Sequence, residues 1–88
     1  MKYATRANLT KQTVDDEILL LDIENNHIHQ LNPTASFIWE LCEQGRTTDE
    51  IAQLMVARFD IDDETALRDI TNIVSQWRDL GLIDVVTE

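Results

Sequence analysis

Two hydrophobic rhythms divide this chain, and the change between them falls at Leu31-Asn32-Pro33. Before that point apolar residues suit extended strands. After it they recur with the spacing of helices. Asn32 is a good helix N-cap because its side-chain oxygen can accept a free first-turn N–H. Pro33 suits the first helical position, where a missing N–H costs nothing and a fixed φ helps.

Upstream, residues Met1 to Val14 are polar and weakly patterned, with a short first strand predicted around Leu9 to Val14. Asp15-Asp16-Glu17 reads as an exposed turn, and Ile18-Leu19-Leu20-Leu21-Asp22-Ile23 as a strand. Glu24-Asn25-Asn26 turns the chain back into a strand over His27 to Leu31, since Asn tolerates the positive φ of a tight turn. A two-residue Asn25-Asn26 loop pairs Glu24 with His27, Ile23 with Ile28 and Asp22 with His29. That register puts the charged pairs on one face and Leu19, Leu21, Ile23 and Ile28 on the other, facing the helices.

Downstream, the first helix is predicted from Pro33 to about Gln44, with Gly45 supplying a left-handed cap. Its buried face is Ala35, Ile38, Leu41 and Cys42. Thr47 with Glu50 forms a capping-box pattern that opens the second helix, whose stripe is Ile51, Leu54, Met55 and Phe59. The third helix begins within Asp60 to Glu64, where carboxylates complement the helix dipole. It continues through Ala66, Ile70, Ile73, Val74 and Trp77 to Leu80, and Gly81 stops it. Leu82 to Val86 is a terminal extended piece. No repeat or linker interrupts the chain, so residues 1–88 read as a single domain.

Composition narrows the function. The net charge is −10, with 7 basic residues against 17 acidic ones, and hydrophobic residues make up 43%. That is a folded domain with a negative field, which repels nucleic acid and anionic membranes and favours a basic partner. The lone Cys42 excludes an internal disulfide and suits a reducing cytoplasm. No apolar run approaches the ~20 residues of a membrane span. No apolar signal core follows Met1 to Arg6, so the chain reads as cytoplasmic and unexported.

Candidate chemistry is sparse. His27 and His29 project from one face of a strand, but no third ligand accompanies them, so they read as cross-strand partners of Asp22 and Glu24 and no metal is expected. Cys42 shares a buried stripe with Ile38 and reads as core. Trp39 and Trp77 read as core or core-edge aromatics. Asp60, Asp62, Asp63 and Glu64 lack the central Gly and final bidentate Glu of a calcium loop, leaving capping as their role. With Gly45 and Gly81 the only glycines, there is no phosphate-binding loop, and no catalytic triad or carboxylate dyad can be assembled. The chain therefore reads as non-catalytic and without a cofactor. A DNA-binding winged helix would open its recognition helix on Asp62-Asp63-Glu64. From Thr47 onward, 3 basic residues face 10 acidic ones, the wrong sign for phosphate.

The ordered set Leu20-Leu21-Asp22, Leu31-Asn32, Ala35, Ile38-Trp39, Leu41, Gly45-Arg46-Thr47, Glu50-Ile51-Ala52 and Gly81-Leu82-Ile83 resembles the PqqD-like family over roughly Ile18 to Ile83. The resemblance implies an α+β, winged-helix-like fold: a three-stranded N-terminal antiparallel sheet followed by three helices. It also implies a recognition element that binds the leader of a ribosomally made precursor peptide and presents it to a modifying enzyme, such as a radical-SAM enzyme, leader peptidase or cyclase. In that family the leader adds as a strand beside the third strand and packs on the third helix. The matching elements here are His27 to Leu31 and Ala66 to Arg78. Asn26 stands where the family often has Gly, and Ile28 where it often has an aromatic.

Physical reasoning supports the same use. An edge strand offers unpaired N–H and C=O groups to an extended peptide, and a neighbouring helix supplies side-chain pockets. The expected peptide-binding residues are His27, Ile28, His29, Gln30, Leu31, Leu67, Ile70, Thr71 and Val74. The expected partners are the precursor peptide and a maturation enzyme encoded nearby, with the protein a monomer or weak homodimer. A generic acidic protein–protein adaptor is the alternative.

Overall fold

The computed structural model describes residues 2–86; Met1, Thr87 and Glu88 lie outside them. In chain order the elements are β1 (Lys2–Thr5), β2 (Thr10–Val14), β3 (Glu17–Asp22), β4 (His27–Leu31), α1 (Pro33–Glu43), α2 (Thr48–Phe59), α3 (Asp63–Asp79) and β5 (Ile83–Val86). Strands β2, β3 and β4 form the expected antiparallel sheet in that order, so β4 is an edge. The sequence pattern did not show β1, which pairs antiparallel with β5 as a separate ribbon, Tyr3 opposite Val85.

The helix boundaries follow their capping chemistry. Asn32 Oδ1 accepts the Ala35 N–H at 2.8 Å, and Thr47 and Glu50 form a reciprocal capping box. Asp62 caps α3 by accepting the Thr65 N–H at 2.8 Å. Gly45 adopts φ +77° and ends α1, with Arg46 N–H donating to Leu41 O and Gly45 N–H to Cys42 O. Gly81 at φ +74° ends α3 in the same way. Along α2, Ile51 and Met55 are buried, but Leu54 is exposed and Phe59 only half-buried. The buried stripe is therefore narrower than its spacing predicted.

The hairpin differs from expectation in register and in face. Its loop is four residues, Ile23–Asn26, closed by Asp22 opposite His27, with Leu21 opposite Ile28 and Leu20 opposite His29. Asn26 takes φ +57°, the left-handed conformation that Asn tolerates. The face toward the helices carries Ile18, Leu20, Asp22 and Leu31, all buried. Leu19, Leu21, Ile23 and Ile28 therefore lie away from the helices, with Ile23 76% and Ile28 71% exposed.

A buried carboxylate makes this inversion possible. The Arg6 guanidinium sits 2.6 Å from Asp22 Oδ1, and the Asn25 amide donates to Asp22 Oδ2 at 2.8 Å. The Asn25 bond and then Arg6 hold the Asp22 carboxyl below its usual range, against the opposing cost of burial. Ser36 fixes the other end of the sheet. Its hydroxyl accepts the Ile18 N–H at 2.9 Å and donates to Leu31 O at 3.0 Å, so both buried backbone groups are satisfied.

Candidate functional site: an open strand edge beside a groove

The Ser36 bridge also sets which backbone groups of β4 are free. It joins the Ile18 N–H to the Leu31 carbonyl, so the groups of Leu31 face β3. Antiparallel alternation then turns His29 and His27 toward β3 as well. The N–H and C=O groups of Ile28 and Gln30 point outward, along the open edge.

Beside this edge lies a groove of about 420 Å³ between β4 and the C-terminal half of α3. Ile28 to Leu31 form one wall, Ile73, Gln76, Trp77 and Leu80 the other, and Ala35 and Leu82 contribute between them. Trp77 is held edge-to-face against the buried Trp39 ring, with centroids 5.1 Å apart and planes at 85°. Such packing gives the groove an apolar, pre-formed base.

The sequence-expected strand residues His27, Ile28, His29, Gln30 and Leu31 together make the edge. His29 is half-buried and Leu31 buried on the groove side, while the exposed Gln30 amide donates to Glu17 Oε1 at 3.2 Å. His27 and His29 lie edge-to-face at 6.0 Å. Among the described residues no group of three or more His, Cys, Asp and Glu is placed to hold a metal.

The expected helix residues fall in different places along α3. Ile70 is fully buried in the core. Leu67 lies beside Asp49, Ala52 and Gln53 of α2. Thr71 and Val74 line a different cleft, with Tyr3, Thr48 and Val85. Lining the groove beside β4 are Ile73 and Trp77 of α3 and the C-cap residue Leu80, spaced i, i+4, i+7. That spacing was readable in the sequence, but the core stripe Ala66-Ile70-Val74-Trp77 runs beside it and masked it.

Cys42 is 1% exposed, and burial, followed by the Glu43 charge, pushes its thiol up to about 12. A nucleophilic thiolate is therefore absent near neutral pH. No described helix is long and apolar enough to cross a membrane.

The family model for Coenzyme PQQ synthesis protein D (PqqD) matches residues 17–83. TbiB1, solved in complex with the TbiA(beta) leader peptide, is similar over 100% of both chains at 25% identity, with a TM-score of 0.87. A lasso peptide synthetase B1 complexed with the leader peptide shares the fold at 24% identity, over 97% of this chain and 100% of its own, with a TM-score of 0.87. Comparison with curated proteins gives no significant match. With the match spanning β3, β4, all three helices and the turn into β5, the chain belongs to the PqqD family.

Proposed function

We propose that this protein binds the leader segment of a ribosomally synthesised precursor peptide and presents it to a maturation enzyme, itself taking no part in the chemistry. The observation that carries this reading is the open β4 edge running alongside a groove of mixed polar and apolar lining that includes Trp77. A peptide strand paired antiparallel with β4 would bond to the outward groups of Ile28 and Gln30. Its alternate side chains would enter the groove toward Ile73, Trp77 and Leu80. Backbone pairing supplies sequence-tolerant affinity, and the groove supplies selectivity. The acidic surface assists a leader carrying Lys or Arg near its docking ends.

The test is titration of the leader half of the precursor encoded beside this chain into ¹⁵N-labelled protein. Amide shifts should concentrate on His27–Leu31 and on the Ile73–Leu80 stretch of α3. Shifts centred on α2 and β5, with β4 silent, would refute the groove.

A further inference from the structure

We propose that the outer face of the β2–β3–β4 sheet is the docking surface for the maturation enzyme, a protein whose contact area is apolar at its centre and carries Lys and Arg at its margin. This inference rests on the leader-binding reading above.

Register places Leu19, Leu21 and Ile28 together on the face that no helix covers, with Ile23 beside them in the hairpin loop. Val14, 57% exposed, lies on the same face of β2 through its pairing with Glu17. The Gln30–Glu17 bond runs across this face, whereas Lys11 points to the opposite one, where it pairs with Glu43 of α1 at 2.8 Å. A sheet face that leaves Val14, Ile23 and Ile28 exposed around the half-buried Leu19 and Leu21 is the mark of an interaction surface rather than of scattered exposure.

Charge argues for the kind of occupant. Asp15, Asp16 and Glu17 stand at one end of the face and Glu24 at the other. Lys11 is the only Lys or Arg on the three strands, and it is turned away. An apolar centre between acidic ends complements a protein with an apolar centre and basic margin. A second copy would bring the same acidic turns and the same net charge of −10 to its own contact, which opposes self-association through this face.

Continuity with the β4 edge argues for the enzyme. A peptide strand added to β4 directs every second side chain away from the groove, onto the outer face next to Ile28. The bound leader thus widens the docking surface. The enzyme reads protein and leader together, and by linkage it tightens leader binding by the factor by which leader tightens its own.

The test uses the purified maturation enzyme encoded beside this chain, fluorescently labelled, titrated with the protein alone and with the protein saturated by leader. Leader should tighten enzyme binding by about fivefold or more. The double variant Leu21→Gln, Ile23→Gln should keep leader affinity within about twofold, as surface changes away from a site do. Enzyme affinity should drop by about tenfold or more, as loss of central interface side chains does. Should the half-buried Leu21 prove necessary for folding, Val14→Gln with Ile23→Gln alters exposed positions only. Unchanged enzyme affinity in a folded variant overturns the proposal. So does a wild-type dimer in sedimentation that these variants dissociate, because the face would then belong to a second copy. Failure of the leader itself to bind wild type overturns the strand-addition reading instead, and enzyme titration without leader still decides the face.

Discussion

Replacing Gln30 by proline separates the two sides of β4. Alternation from the Ser36 bridge turns the Gln30 N–H outward, so no ladder bond to β3 depends on it. Proline is tolerated on an edge strand when the missing N–H faces away from the sheet. The domain should keep its melting temperature, apart from loss of the exposed Glu17 contact. The added leader strand, in contrast, loses one backbone donor. A net hydrogen bond contributes about 0.5–1.5 kcal/mol, which corresponds to about 2- to 13-fold in Kd. Steric interference by the ring adds to that. Gln30→Ala removes the same side chain and keeps the donor, so it should bind as wild type does. His29→Pro reverses the pattern, because the His29 N–H faces β3 opposite the buried Leu20. Leaving a buried acceptor unpaired costs about 1–3 kcal/mol of fold stability. Fluorescence anisotropy of labelled leader, together with thermal melts of the three variants, reads both effects. Equal leader affinity for Gln30→Pro and Gln30→Ala would show that no strand adds at this edge. Unfolding of Gln30→Pro as severe as that of His29→Pro would refute the alternation.

Other consequences are simpler to check. Leu80→Asp, at the groove mouth, should weaken leader binding by about tenfold, as loss of a central interface contact does. Leu67→Asp, on the α2 side of α3, should leave it unchanged in the same titration. Trp39→Ala should cost about 3–5 kcal/mol in urea denaturation, as buried aromatic truncations do, because Trp39 is 1% exposed and supports Trp77. Cys42 has its thiol pushed up to about 12 from 9.0, so its contribution to stability is complete below pH 9 and fades as pH rises from there toward 12. The stability difference between wild type and Cys42→Val should shrink or reverse across that window, and should stay flat between pH 6 and 8.

Helix boundaries were legible because the signals that make them are local. Asn32-Pro33, Thr47 with Glu50, and Gly45 and Gly81 each act within a turn of the residues they serve, and each adopts the predicted geometry. The β1–β5 ribbon was not legible. Its partners are Lys2–Thr5 and Ile83–Val86, at opposite ends of the chain, and Tyr3 is the only buried residue of β1. Nothing near Tyr3 in sequence announces β5, or the contact of Tyr3 Oη with Thr48 Oγ1 at 2.6 Å. The family match, which begins at residue 17, leaves β1 and β2 outside it.

The inverted sheet face comes from one ambiguity and one long-range pair. In β3, Ile18 and Leu20 are as apolar as Leu19 and Leu21, so period-two alternation cannot say which set is inside. Asp22 shares parity with Ile18 and Leu20, and an unpaired carboxylate inside a core is disfavoured, so local reasoning turns that face outward. The choice reverses once Arg6, sixteen positions upstream, sits 2.6 Å from Asp22 and Asn25 bonds its other oxygen. The open β4 edge survives the inversion because edge status depends on strand order, not on face. What changes is the role of the aliphatic set. Leu19, Leu21, Ile23 and Ile28 belong to a surface open to a partner. The Arg6–Asp22 pair is therefore a determinant of which face the protein presents. Asp22→Leu, which places an aliphatic side chain inward and leaves Arg6 without its carboxylate, should lower the melting temperature while retaining the β3–β4 pairing. Cross-strand amide contacts between Leu20 and His29 in that variant would establish the retained register. Their replacement by contacts between Leu19 and His29 would show that Asp22 sets the register as well as the face.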